Sequence, residues 1–145
     1  MISKGIEGTY RLVRRELPDG TVQVPPAVMG MYTYSKGYRH FSVVWKDGEG
    51  RYYSECYAAR YTLTQKEYSE TPEYLIVDDQ IEGKEISYDL SGAAAGSPVT
   101  FDGGRVRFAL PQPFERALSI TVEIGGGRLK ATGKDLFVDY WERVP

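Results

Sequence analysis

Hydrophobic residues recur at every second position in short runs along most of this chain. Val106, Phe108 and Leu110 alternate with Arg105 and Arg107, and Leu118, Ile120, Val122 and Ile124 alternate with Ser119, Thr121 and Glu123. Phe41, Val43 and Trp45 repeat the pattern, as do Ile86, Tyr88 and Leu90. Successive side chains of a strand point to opposite faces, so this period predicts half-buried strands with one wet side. No stretch reads as a long helix. Turn residues separate the runs: Pro18-Asp19-Gly20, Ser35-Lys36-Gly37, Asp47-Gly48-Glu49-Gly50, Glu82-Gly83-Lys84, Asp102-Gly103-Gly104, Gly125-Gly126-Gly127 and Gly133-Lys134-Asp135. Short strands joined at such breaks suggest antiparallel neighbours linked mainly by hairpins.

The strands predicted on this basis cover residues 8–17, 28–34, 38–46, 57–63, 67–77, 85–90, 99–101, 105–110, 117–124, 128–132 and 136–144. Residues 51–56 are open between strand, loop and one helical turn. The connection 18–27 holds Pro25-Pro26 and cannot be a central strand. The connection 91–98, with Ala93-Ala94-Ala95 between glycines, reads as small and flexible. The first and last strands are both well marked, and pairing them would hide the sheet's edges. The expected fold is therefore all-β, a single antiparallel up-and-down barrel of about eight to ten strands filling residues 1–145 as one domain.

Composition narrows the function classes. With 41% hydrophobic and 26% charged residues, the chain has the balance of a soluble globular protein. A net charge of −2 argues against a nucleic-acid partner. Cys56 and His40 are the only residues of their kinds. An internal disulfide and a cysteine-based zinc site are thus excluded, and neither metal nor organic cofactor is expected. The first seven residues lack the apolar core of a signal peptide, and no run reaches membrane-spanning length. The expectation is a cytoplasmic protein without a membrane partner. Tyrosine is in excess, 12 against five Phe and two Trp. Its apolar body and polar tip suit strand surfaces and cavity walls alike.

The opening Gly8-x-Tyr10-x-Leu12-Val13 and the closing Trp141-Glu142-Arg143-Val144 resemble the lipocalin-like domain family of small bacterial proteins, within the calycin superfamily. There a Gly-x-Trp on the first strand seals one end of the barrel, and an Arg near the last strand packs across it. Here Tyr10 stands in the place of the Trp, and Arg143 in that of the Arg. The resemblance implies a barrel closed near Tyr10, with the connection 18–27 over an open mouth, and binding of small apolar molecules. It also implies that an enzyme of the isomerase, cyclase or dehydratase kind could use the same cavity. It carries over no catalytic residue.

Period two from Tyr10 and Leu12 turns Arg14 inward, where a buried guanidinium needs a partner. Asp139 shares one face of the last strand with Phe137, Trp141 and Arg143, so an Arg14–Asp139 pair is one expectation. The other is that Arg14 and Arg15 both reach solvent at the strand's end. Tyr57, Ala59, Tyr61 and Leu63 share an inward face, while Tyr32 and Tyr34 could face either way. The ligand-binding candidates are Arg14, Tyr57, Tyr61, Asp139 and Trp141; the catalytic candidates are Asp139, His40 and Tyr61. His40 falls on the face opposite Phe41, Val43 and Trp45. Cys56 is either a nucleophile near His40 or a small buried hydrophobe.

Three readings follow. The leading one is a binding protein for a small apolar or partly polar molecule held inside the barrel. The second is a cofactor-independent enzyme using the same space. The third is a packed barrel without a cavity, acting through its surface, with a homodimer as one such partnership.

Overall fold

The computed structural model describes residues 5–111 and 119–145. They form β1 (Gly8–Glu16), β2 (Val22–Gln23), β3 (Val28–Ser35), β4 (Tyr38–Lys46), β5 (Tyr52–Leu63), β6 (Glu67–Asp79), β7 (Ser87–Asp89), β8 (Ala95–Asp102), β9 (Arg105–Ala109), β10 (Ile120–Gly125), β11 (Arg128–Gly133) and β12 (Phe137–Arg143). Among these residues there is no helix, hence none long and apolar enough to cross a membrane. Ten strands pair antiparallel in the order β1-β3-β4-β5-β6-β8-β9-β10-β11-β12, and β12 pairs back onto β1. The protein is a closed up-and-down barrel. The short β2 and β7 extend the edges of β1 and β6 beyond the reach of β3 and β8.

Alternation decides what the barrel encloses. Tyr10 and Leu12 of β1, Val122 and Ile124 of β10, and Leu129 and Ala131 of β11 are buried, and the intervening residues are more exposed. At one end these side chains pack solidly with Tyr34, Tyr61, Tyr68 and Phe108. The Tyr68 and Phe108 rings stack with centroids 4.0 Å apart.

Arg143 seals this end from outside. Directly opposite Tyr10 in the β1–β12 register, it donates from Nη2 to the Tyr10 hydroxyl at 2.8 Å. Its guanidinium lies 5.3 Å from the ring centroid. The same hydroxyl donates to the Ile6 carbonyl at 2.9 Å. Gly8 is required beneath it: φ is +146°, and a Cβ there would stand 2.6 Å from Arg143 Nε.

Several expectations need correction. Residues 91–98 are not merely a flexible connection, since β8 begins at Ala95 and pairs with β6 as far as Glu67↔Pro98. Ile86, Tyr88 and Leu90 do alternate, but β7 pairs only with the far half of β6 and all three stay exposed. Residues 51–56 continue β5 as strand from Tyr52. Leu118 and the start of its expected strand lie outside the described residues; β10 carries the rest of that face.

Tyr10→Ala should lower unfolding free energy by about 3–5 kcal/mol in chemical denaturation, since it empties a fully buried aromatic site. Gly8→Ala should cost about 1–3 kcal/mol through backbone strain and the clash with Arg143. Unchanged denaturation midpoints for both variants would show that this seal does not hold the barrel.

Candidate functional site

Beyond the packed end the barrel is hollow, with a cavity of about 540 Å³. Tyr32, Phe41, Val43, Trp45, Phe137 and Trp141 supply apolar wall, and Arg15, Arg39, Glu55 and Asp139 supply polar groups. Small inward residues shape the interior. Gly30 takes an inward position on β3, and a Cβ there would stand 2.7 Å from the tip of the Trp141 indole. Gly133 likewise leaves room for the Phe137 ring, which a Cβ would meet at 2.7 Å. Ala131, between large neighbours, leaves its own share of the space open.

The first polar group is Arg15 with Asp139. The β1–β12 register runs Leu12↔Trp141, then Arg14↔Tyr140, so Val13 is an extra residue on β1. Such a bulge reverses the phase of the strand beyond it. Arg15 rather than Arg14 therefore turns inward, directly opposite Asp139. Its Nε and Nη2 donate to the two carboxylate oxygens at 2.7 and 2.9 Å. The guanidinium lies over the rings of Trp45 and Phe137, at 4.6 and 4.5 Å from their centroids. Burial raises the Asp139 pKa above its ordinary value, against the pull of Arg15.

The second polar group lies on the cavity wall next to the packed end. Arg39, on the inward face of β4 with Phe41, donates through Nη2 to Glu70 Oε1 at 2.9 Å and through Nε to Oε2. Ala59, opposite Arg39 on the intervening β5, carries only a methyl and leaves room for this reach across two strands. Glu70 also accepts from the hydroxyls of Tyr57, at 2.9 Å, and Tyr68. The Tyr68 and Tyr34 hydroxyls and the Tyr34 and Tyr32 hydroxyls are each 3.1 Å apart, which extends the network. Burial alone would lower the Arg39 pKa, but the Glu70 charge more than reverses this and holds it well above its ordinary value. Burial raises Tyr32, Tyr34, Tyr68 and Tyr57, with Glu70 adding to the shift at Tyr57 and Tyr68. It raises Tyr61 to about 12, with Glu7 and Tyr10 contributing.

Of the five ligand-binding candidates, Tyr57, Asp139 and Trp141 border the cavity. Tyr61 points inward but packs in the closed end against Tyr34, 4.8 Å between centroids, with its hydroxyl buried and without a partner among the described residues. Arg14 is outside the barrel, its guanidinium over the Tyr140 ring at 4.2 Å and 3.7 Å from Glu16. The expected Arg14–Asp139 pair is thus corrected to Arg15–Asp139, the Val13 bulge being the cause. His40 is exposed on the outer wall opposite Ala58. Cys56 is a free, half-buried thiol that also faces outward. Of the three catalytic candidates only Asp139 reaches the cavity. Arg39 and Glu70 went unassigned in the sequence reading, and Arg15 entered it only as a residue reaching solvent, whereas it is buried against Asp139. For Arg39 a signal existed, since period two carried back from Phe41 lands on it. Comparison with protein-family models, curated protein sequences and solved structures finds no match for this chain.

Glu70→Leu should cost about 3–5 kcal/mol by leaving the Arg39 guanidinium buried without its carboxylate. Arg39→Met combined with Glu70→Leu should recover most of that loss. Equal destabilisation in the single and double variants, measured by urea unfolding, would contradict the coupling.

The buried tyrosines give a pH signature. Unfolded tyrosines ionise near pH 10, whereas Tyr32, Tyr34, Tyr57, Tyr61 and Tyr68 hold their protons to higher pH in the fold. Their contribution is fully present below about pH 10 and is lost as pH rises through the folded values, about 12 for Tyr61. Phenolate absorbance should therefore show these five ionising late, together with unfolding by circular dichroism. Complete ionisation near pH 10 in a still-folded protein would be inconsistent with their burial.

Proposed function

We propose that the barrel is a binding protein for one small, largely apolar molecule with a polar end, held in the cavity. The observation that carries this reading is the hollow itself: about 540 Å³, walled mainly by aromatic and aliphatic side chains onto which a few fixed polar groups converge. Ligand sites typically enclose about 300–1,000 Å³ and have this mixture of wall and anchor. A packed barrel acting only through its surface has less support, because the space persists although Trp45, Tyr57 and Trp141 all point into it.

A cofactor-independent isomerase, cyclase or dehydratase would occupy the same cavity. That reading retains only Asp139, whose two oxygens already accept from Arg15. His40 is on the far side of the wall and the Tyr61 hydroxyl is in the packed end, so neither supports it. Membership of the lipocalin-like family and a cytoplasmic location belong to the same proposal. The Gly8–Tyr10–Arg143 seal supports the first, as it is the arrangement the resemblance implies.

The test is titration with N-phenyl-1-naphthylamine, an uncharged fluorescent dye, together with native mass spectrometry of the freshly purified protein. The dye should bind saturably, one per chain. Ala131→Trp, which fills the cavity from β11, should weaken it at least about tenfold without altering the far-ultraviolet circular dichroism spectrum. A folded Ala131→Trp variant with undiminished dye binding would put the site elsewhere.

A further inference from the structure

We infer that the cavity selects an uncharged ligand bearing a carbonyl oxygen, and that Arg15 is the residue that reads it. The inference deepens the binding function proposed above and rests on it.

The argument begins with what already occupies Arg15. Asp139 takes one edge of the guanidinium through Nε and Nη2, and the rings of Trp45 and Phe137 pack against it. A guanidinium carries five N–H groups in one plane, so three remain, on the edge away from Asp139. Among the described residues Arg15 has no second hydrogen-bond acceptor, and it borders the cavity. Its rotamer is fixed by a bidentate carboxylate and two rings, so this free edge is held in place before any ligand arrives. Two further donors on the lining also lack acceptors. Arg39 Nη1 and Trp141 Nε1 are both buried and have no partner among the described residues. An unsatisfied buried donor costs about 1–3 kcal/mol, so a lining with several is primed for an acceptor.

Charge decides which acceptor. Each buried guanidinium already has its own carboxylate, Arg15 with Asp139 and Arg39 with Glu70. Glu55, which accepts from Tyr53 at 3.1 Å, adds a further carboxylate to the wall. Lys46, the other cation among the described lining residues, is exposed at the rim, where water solvates it. Among the described residues the cavity therefore offers donors in excess without positive charge in excess. A ligand carboxylate would be desolvated there with no uncompensated cation among those residues to receive it. A ketone, ester or lactone carbonyl brings lone pairs and no charge.

The experiment uses three probes of matched length, decan-2-one, decanoate at about pH 8, where the acid is ionised, and 2-methyldec-1-ene, in which a methylene replaces the ketone oxygen. Both tryptophans of the chain, Trp45 and Trp141, border the cavity, so intrinsic fluorescence reads occupancy directly. The expected result is that decan-2-one binds at least about tenfold tighter than either other probe, the range expected for a hydrogen bond to a charged donor. In Arg15→Met combined with Asp139→Leu, which removes donor and counter-charge together, the preference for ketone over alkene should fall to about threefold or less. The wild-type comparison stands even if that variant does not fold. Equal binding of ketone and alkene, or preference for decanoate, would overturn the carbonyl inference and leave the cavity as a binding site. Failure of all three probes and of the phenylnaphthylamine dye would overturn the binding function as well.

Discussion

The pairing of β12 with β1 is the constraint on which everything else depends. Without it the sheet has two free edges and its interior is an open face. With it, Tyr10 meets Arg143, Leu12 meets Trp141, and Arg15 meets Asp139. One strand pair thus supplies the seal, a wall of the hollow and the first polar anchor. A strand pair of this kind is held by backbone hydrogen bonds that any side chains could accept, so specificity comes from the register. That register is set by side chains with only one good place to go: a glycine under Arg143, and a tyrosine whose hydroxyl serves two partners.

The barrel's division into a solid end and a hollow end follows from side-chain size at inward positions. Where Tyr34, Tyr61, Tyr68 and Phe108 converge, the rings meet and leave no room. Where Gly30, Ala131 and Gly133 stand inward, Trp141 and Phe137 lean into the vacated volume and the remainder stays open. The Arg39–Glu70 network lies against both regions, sharing hydroxyls with Tyr34 and Tyr68 on one side and bordering the hollow through Arg39 and Tyr57 on the other. A buried ion pair gives weak net stability and is very intolerant of losing one partner. Its use here is better understood as positioning, since it holds two tyrosines and an arginine in single orientations.

Much of this was legible in the sequence because period two and turn chemistry are local. The strands β3 and β4, the second half of β5 with its inward face of Tyr57, Ala59, Tyr61 and Leu63, and the closure of first strand on last all follow from alternation and edge avoidance. What failed were features that alternation cannot encode. Arg14 and Arg15 are adjacent arginines, and choosing between them requires knowledge of the bulge at Val13, which only the partner strand reveals. Tyr61 was placed inward correctly, yet which end of the barrel it occupies depends on the tilt and stagger of all ten strands. Ile86, Tyr88 and Leu90 alternate like a half-buried strand, but burial needs a covering partner, and β7 adds only an edge to β6. The Arg39–Glu70 pair joins strands separated by a third, a distance no local pattern expresses.

The same bulge decides which arginine supplies the cavity's chemistry. In a regular strand continued from Leu12↔Trp141, Arg14 would face inward opposite Asp139 and Arg15 outward. The extra residue puts Arg15 there instead, with its guanidinium 4.6 and 4.5 Å from the ring centroids of Trp45 and Phe137. Burial strengthens its bond to Asp139. The edge away from Asp139 is the part of the guanidinium left for the hollow. The choice of Arg15 over Arg14 as the cavity's cation therefore has one structural origin, a single inserted residue in the first strand.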